Sequence, residues 1–238
     1  MDPFRHHPDL KDLITPAEKS FFYNFDPTSL DEKMAHLGAP TDWRFDTKTR
    51  EAYRHDEMQG RWDRDLWVFA HGSLCWDPAL EFDEVRHAHL PNHARRFILK
   101  DTMGARGTVD NPGLMAALSD GPGCDGLAFK VPAAVVDAQT RNLWARERVS
   151  DAYQSTFLQA DTAQGGIEVL AFVTNPEAKV ITPGISRADQ VQYIARGHGI
   201  LGSSLDYARK LQAGLKVIEI ADADLDALLA EAETLAAQ

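Results

Sequence analysis

The segment 66–74 constrains the fold most strongly, because a short apolar run ends there in a turn of small and polar residues. Residues 66–70 are Leu-Trp-Val-Phe-Ala, with charged residues before them and Gly72 shortly after them, which predicts a buried β-strand. Glycine lets a main chain approach a ligand closely, and the backbone N–H groups of such a turn can converge on an anion. We therefore expect a binding site in this turn, whose residues are His71, Gly72, Ser73 and Leu74.

Short apolar runs separated by glycine and proline continue along the chain and alternate irregularly with helical patterns. The runs that predict strands are 66–70, 88–90, 95–100, 114–118, 125–131, 155–159, 167–174 and 215–220. The spacing of apolar residues predicts helices at 133–148, 187–197, 203–213 and 222–236. Because strands outnumber helices without strict βα alternation, we expect an α+β fold, a mixed β-sheet or barrel with flanking helices.

Residues 1–64 differ in composition from the rest of the chain. They are rich in charge, histidine and proline and have no sustained helical or strand period. The aromatic run Phe21-Phe22-Tyr23 carries too much apolar surface for a purely solvated tail. We predict an N-terminal extension, with a short helix at 16–22 capped by Thr15, that packs on a main domain at 65–238.

Charge and cysteine content exclude several classes of protein. The chain of 238 residues has 36 acidic and 25 basic residues and a formal net charge of −11, which argues against binding to nucleic acid or to an anionic membrane. Two cysteines do not make a disulfide framework and fit a reducing cytoplasm. The first residues do not resemble a secretory signal, and no apolar run approaches the ~20 residues of a membrane span. We therefore expect a soluble, cytoplasmic protein.

Glu147 is the carboxylate with the most informative surroundings. It ends a predicted helix and has Arg146 and Arg148 as its neighbours. A glutamate at a helix end is most often a solvated partner of such arginines, and such pairs contribute little to stability. If the turn at 150–153 instead brings Glu147 over the glycine turn, partial burial would raise its pKa towards values useful for proton transfer. Both interpretations remain open at this point.

A serine nucleophile is an alternative at the glycine turn, with Ser73 as the attacking group and His71 as the base. The nucleophile elbow of hydrolases requires Gly-x-Ser-x-Gly, and Cys75 takes the place of its second glycine. We therefore interpret Ser73 as a hydroxyl and N–H donor to a bound ligand.

Other polar residues carry weaker signals. His87, His89 and His93 form the densest histidine cluster, but Pro91 interrupts it and no acidic or cysteine ligand lies beside it in the chain, so we expect an exposed strand face and no metal. Cys75 and Cys124 lack metal-ligand spacing and are interpreted as buried thiols.

Three arginines near predicted strand ends and turns could bind a carboxylate, which arginine does in a bidentate manner. They are Arg95, Arg96 and Arg106. The alternative is that they solvate a sheet edge.

Together these segments resemble the ChaC branch of the γ-glutamylcyclotransferases. The matching residues are 68–78 (Val-Phe-Ala-His-Gly-Ser-Leu-Cys-Trp-Asp-Pro), 95–97, 106–108, 112–114, 143–148 with 152–153, and 199–207. The resemblance spans residues 65–215 in consistent order, which makes it more specific than any single motif.

The resemblance implies a compact α+β barrel and a lyase that cleaves glutathione, or a related γ-glutamyl compound, to 5-oxoproline. It implies that Glu147 is the general base and acid when the substrate's α-amine attacks its own γ-carbonyl. It implies a small-molecule partner and no metal or organic cofactor. The residues implied in substrate binding are His71, Gly72, Ser73, Leu74, Arg106, Tyr153 and Tyr207.

Two positions depart from the family pattern. His71 stands where the family usually has tyrosine, and an imidazole there is expected to be charged below neutral pH. Ser203 or Ser204 takes the place of a helix-capping asparagine. A protein of the same fold that binds γ-glutamyl compounds or amino acids without catalysis is therefore the alternative function.

Overall fold

A computed structural model describes residues 2–238. The strands are β1 (Leu66–Ala70), β2 (Glu84–Leu90), β3 (His93–Asp101), β4 (Gly113–Asp120), β5 (Cys124–Val131), β6 (Tyr153–Thr162), β7 (Gly165–Thr174), β8 (His198–Gly199) and β9 (Gly202–Ser203). The α-helices are α1 (Asp31–His36), α2 (Thr47–Glu57), α3 (Val136–Glu147), α4 (Arg187–Arg196), α5 (Ser204–Val217) and α6 (Ala223–Ala236). None of these helices is both long and apolar enough to cross a membrane.

Five strands close into a barrel in the order β1-β5-β2-β6-β7. Its pairs are antiparallel except where β1 closes the barrel against β7 in parallel, with Val68 opposite Leu170. β3 and β4 form a separate antiparallel hairpin with an irregularity between Phe97 and Leu99. The predicted α+β barrel with flanking helices is thus the architecture of the chain.

Successive residues of the barrel strands face two different cores, as the period of a β-strand requires. One core draws the small side chains Ala88, Ala128, Ala160 and Ala171 from four barrel strands and Phe69 from β1, so it fills the narrow barrel interior. The other core lies between the barrel and the helices and contains Leu66, Val68, Leu127, Phe129, Leu143, Trp144, Leu211 and Leu228. β1 contributes to both cores, which is why nearly all of it is apolar.

Seven of the predicted strands and all four predicted helices of the main domain are present, with boundaries displaced by a few residues. The predicted strand at 215–220 is wrong, because α5 continues to Val217. Leu211 and Leu215 are both buried, at 0% and 2% exposure, and their spacing of four places them on one face of a helix. A short apolar run cannot distinguish this helical face from a strand.

The N-terminal residues pack on the barrel through apolar side chains. Leu10, Ile14 and Met58 are buried in the core between barrel and helices. At 16–22 the structure has a short 3-10 turn, Ala17–Lys19, and Pro16 precedes it without a side-chain cap. The predicted Thr15-capped helix is therefore wrong, and proline at this position explains the extended entry.

Arg54 connects the N-terminal residues to the main domain. Its guanidinium, with no exposed surface, donates hydrogen bonds to Glu51 on α2 and to Asp137 and Thr140 on α3. Each of its three nitrogens has a partner of suitable charge or polarity, which a buried cation requires.

Glu57, at the end of α2, makes the free energy of unfolding depend on pH. Burial raises its pKa from 4.5 to about 7, although Arg148 at 3.8 Å opposes the shift. A raised carboxyl pKa stabilises the fold at low pH, and this contribution is lost as the pH rises through 7. We compare the free energy of unfolding of Glu57→Gln with that of wild type. We expect this difference to shift in favour of the variant by about 2 kcal/mol between pH 5 and pH 8. Urea unfolding at the two pH values measures this difference, and an unchanged difference would contradict the prediction.

Candidate active site

A cavity of about 200 Å³ lies where the turn after β1, the end of α3 and the start of α5 meet. We call residues 71–74 the Gly72 turn. All four of them line this cavity, and so do three further residues that the sequence predicted for the site, which are Glu147, Tyr153 and Tyr207. The structure therefore brings together residues from three distant parts of the chain.

The Gly72 turn is shaped by close contact with Tyr207. A Cβ atom at position 72 would lie 2.6 Å from the Tyr207 hydroxyl oxygen, so only glycine fits there. Ser73 then opens a short 3-10 turn, Ser73–Cys75, whose leading N–H groups lack partners within the turn. These N–H groups are the ones that can bind an anion or an oxyanion.

Arg95 fixes the start of the Gly72 turn from behind. Its guanidinium donates to the carbonyl of His71 at 2.6 Å, to the carbonyl of Asp125 at 2.5 Å and to the carboxylate of Asp222 at 2.6 Å. Its side chain is only 4% exposed. Arg95 therefore neither solvates a sheet edge nor binds a ligand; it holds the turn against the barrel.

Glu147 is the last residue of α3, and its carboxylate is only 13% exposed. Burial raises its pKa above 4.5, and the adjacent guanidinium of Arg146 works against this shift. The interpretation as a solvent-exposed ion pair is therefore wrong. A partly desolvated carboxyl with a raised pKa is suited to general acid and base chemistry.

Arg146 links Glu147 to the Gly72 turn. Its Nε lies 2.9 Å from a carboxylate oxygen of Glu147, while Nη2 donates to the Ser73 hydroxyl at 2.7 Å and Nη1 to the Asp77 carbonyl at 2.6 Å. These contacts orient both the carboxylate and the turn. They also leave the proposed serine nucleophile without a base, because Ser73 bonds to a cation and no hydrogen bond joins it to His71 among residues 2–238.

His71 is a neutral residue in this site. It is 5% exposed, and burial, assisted by the positive charge of Arg95, lowers its pKa to about 3. The expectation that His71 becomes charged just below neutral pH is therefore wrong. Its Nδ1 is buried and has no hydrogen-bond partner within residues 2–238, so the ring carries an unsatisfied polar atom beside the cavity.

The two tyrosines supply neutral hydroxyl groups to the cavity. Burial raises the pKa of both Tyr153 and Tyr207 above 10. The Tyr153 hydroxyl donates to the Ala116 carbonyl at 3.3 Å. The rings of Trp76 and Tyr207 pack edge to face, with their centres 5.2 Å apart. Both phenols are thus fixed donors or acceptors rather than proton-transfer groups.

Arg106 is placed behind the cavity and does not line it. Its guanidinium donates to the carbonyls of Leu201 and Ser203 at 2.7 and 3.3 Å and lies 5.1 Å from the centre of the Tyr207 ring. Arg106 thus supports the segment that carries Tyr207, and substrate binding by Arg106 stays a prediction.

The start of α5 explains how serine replaces the family's asparagine. The Ser203 hydroxyl caps the helix by accepting from the Asp206 N–H at 3.0 Å. Ser204 is fully buried and accepts from the Leu114 N–H at 3.0 Å. Both hydroxyls thus stabilise the segment that carries Tyr207.

The remaining candidates lie elsewhere. His87 and His89 both contact the Asp125 carboxylate, at 2.8 and 3.3 Å, and residues 2–238 contain no group of three or more potential ligands placed to hold a metal. Burial raises the pKa of Cys75 to about 12 and also raises that of Cys124, so both are unreactive thiols.

Much of the cavity wall, including the connecting residue Arg146, was not predicted from the sequence. Six lining side chains come from the N-terminal residues, and they are Phe21, Phe22, Phe25, Leu30, Met34 and Trp43. The aromatic run at 21–23 signalled buried contacts for this region, but nothing in the sequence indicated that the contacts surround the site.

The chain is similar in sequence to proteins of known function. Residues 66–235 match the family model described as ChaC-like protein. A glutathione-specific γ-glutamylcyclotransferase of Escherichia coli (strain K12) is 32% identical over 183 residues, which cover 73% of this chain and 75% of that protein. Glutathione-specific γ-glutamylcyclotransferase 1 of Homo sapiens is 31% identical over 152 residues, which cover 61% of this chain and 68% of that protein.

A solved structure shows the same fold. The crystal structure of a glutathione-specific γ-glutamyl cyclotransferase from yeast has a TM-score of 0.66 and 20% identity, with coverage of 72% of this chain and 96% of that chain. The predicted fold class and the predicted resemblance are therefore confirmed. Because the family model matches residues 66–235, more than half of its length, this chain belongs to the ChaC-like protein family.

Proposed function

We propose that the protein is a γ-glutamylcyclotransferase that cleaves glutathione to 5-oxoproline and cysteinylglycine. The observation that carries the proposal is the connection of Glu147 to the Gly72 turn through Arg146 in one cavity. The family match and the relatives named for this activity support it.

The reaction takes place within one substrate molecule. The substrate's α-amine attacks its own γ-carbonyl carbon, a C–N bond closes the five-membered lactam, and the original amide C–N bond breaks. The α-ammonium nitrogen loses two protons as the lactam forms. One passes to solvent to give the free amine, and Glu147 takes the other and gives it to the departing amine, so no water is consumed. Because both reacting groups belong to the same molecule, the enzyme's task is to hold the attack geometry and move the protons.

The Gly72 turn supplies the binding groups for this geometry. The N–H groups of Ser73 and Leu74 hold either the substrate carboxylate or the oxyanion that forms on the γ-carbonyl. The neutral imidazole of His71 and the hydroxyls of Tyr153 and Tyr207 line the same cavity and contact the γ-glutamyl group. We infer that these neutral donors and acceptors orient the substrate and leave proton transfer to Glu147.

Replacing the carboxyl of Glu147 tests its role directly. We expect Glu147→Gln to reduce 5-oxoproline release from glutathione by at least about 100-fold, because an amide cannot accept the proton. Chromatography of 5-oxoproline measures the rate, and Glu177→Gln, an exposed substitution away from the cavity, is the matched control. Full activity of Glu147→Gln would overturn the mechanism. Saturable glutathione binding by wild type without any product would favour the binding protein instead.

The pH profile distinguishes Glu147 from His71 as the titrating group. Glu147 must be ionised to act as a base, and its pKa is raised, so we expect kcat/KM to rise with pH through a midpoint above 4.5. The pKa of His71 is about 3, so the imidazole stays neutral over this range. His71→Gln is therefore expected to raise KM while leaving the midpoint in place. A midpoint that disappears in His71→Gln would assign the titration to the histidine.

Arg146 is a positioning residue, and two substitutions separate its charge from its shape. Arg146→Lys keeps the charge but cannot contact Ser73, Asp77 and Glu147 together, so we expect kcat/KM to fall about tenfold. Arg146→Met also removes the charge that opposes the raised pKa of Glu147. The midpoint of the pH profile should therefore move to higher pH in Arg146→Met and much less in Arg146→Lys. Equal midpoints in both variants would show that the charge has no such effect.

A further inference from the structure

The N-terminal residues form one wall of the active-site cavity. The six side chains that contribute, which we call the aromatic cap, are Phe21, Phe22, Phe25, Leu30, Met34 and Trp43. All of them precede the part of the chain that matches the family model, which begins at residue 66. The cap is therefore a feature of this chain in addition to the family domain.

Specific contacts hold the aromatic cap over the cavity. The Phe22 ring covers the Arg146 guanidinium at 4.0 Å, and the Phe25 N–H donates to the Asn142 side chain on α3 at 3.1 Å. On the far side, Leu37 packs so closely on Gly104 that a Cβ at position 104 would lie 2.5 Å from it. The N-terminal segment that carries the cap thus reaches from α3 to the loop between β3 and β4.

Within the cap, three phenylalanine rings form a cluster that remains partly open. The ring centres of Phe21, Phe22 and Phe25 lie 5.2 to 5.6 Å apart. Phe21 is nevertheless 54% exposed, and the other two are half-buried. Accessible apolar surface gathered at a cavity marks a place where an apolar group binds.

The wall that faces the cap is also apolar. It includes Met103 and Met115, both half-buried, together with Leu99, Val180 and Leu201. Methionine side chains adapt to ligands of different shape. The carboxylate of Asp101 in this wall already has hydrogen-bond partners within the protein, because it accepts from the N–H groups of Met103 and Gly107 at 2.9 and 3.0 Å.

We propose that the aromatic cap and the two methionines form a subsite for an apolar group on the departing part of the substrate. The proposed function places the γ-glutamyl group at Glu147 and the Gly72 turn, so the cysteine side chain of the departing dipeptide extends into the rest of the cavity. An alkyl or aryl group on its sulfur would bury apolar surface there. The substrate class is therefore the thioethers of glutathione, and this inference rests on the proposed function. The same cyclisation releases 5-oxoproline and the S-substituted cysteinylglycine, with no additional reactant.

Binding measurements test the subsite independently of turnover. We would titrate the full-length Glu147→Gln protein with glutathione and with S-hexylglutathione by calorimetry. S-hexylglutathione is expected to bind at least about tenfold more tightly, since its six carbons are removed from water. Phe21→Ala and Phe25→Ala in the same background should reduce this preference severalfold and leave glutathione affinity nearly unchanged. Tyr23→Ala is the matched control, because Tyr23 is exposed in the same segment and does not line the cavity.

The outcomes separate the subsite from the proposed function. Equal affinity for the two ligands overturns the subsite, and so does an equal loss of both affinities in Phe21→Ala and Phe25→Ala. Release of 5-oxoproline from both ligands by the wild-type protein, measured in parallel, tests the reaction. A calorimetric preference without 5-oxoproline from either ligand supports the subsite and overturns the proposed function. Product from glutathione without any preference supports the function and overturns the subsite.

Discussion

The guanidinium of Arg146 is the interaction on which the site depends. One planar cation donates to the turn after β1, to the carbonyl of Asp77 and to the carboxylate beside it, and an aromatic ring covers its face. Arginine can do this because its five N–H donors have a fixed arrangement. The positions of the Gly72 turn, the end of α3 and the N-terminal residues are therefore coupled. The same cation limits the rise of the Glu147 pKa that burial causes, so the carboxyl can still ionise.

The main elements of the barrel could be predicted because each carries a local signal. The apolar run of β1, the glycine after it and the helix after Pro132 depend on chain chemistry that acts over a few residues. The strand predicted at 215–220 is wrong, since burial against α6 and the barrel decides whether an apolar run becomes helix or strand. Length alone did not distinguish the two.

The site could be predicted in its central residues and not in its surroundings. Resemblance identified Glu147 and the Gly72 turn, but the charge state of His71 depends on burial and on Arg95, which only the fold brings to it. Arg95 and Arg106 were both candidates for binding a carboxylate. In the structure each donates hydrogen bonds to backbone carbonyls that lie far away in the chain. The aromatic cap could be predicted least, because the α3 residues that it contacts lie more than a hundred positions later in the sequence.

The long range of the cap contacts has a consequence for biosynthesis. The amide of Phe25 finds its partner 117 positions later, and the amide of Phe45 bonds to the carbonyl of Val149. At translation speeds of roughly 5–20 residues per second, the emerging N-terminus waits for roughly 6–23 seconds before those partners are synthesised. During this interval its phenylalanines are open to other nascent chains and to chaperones. Closure of the cavity by these side chains therefore follows the synthesis of the later segments that they contact.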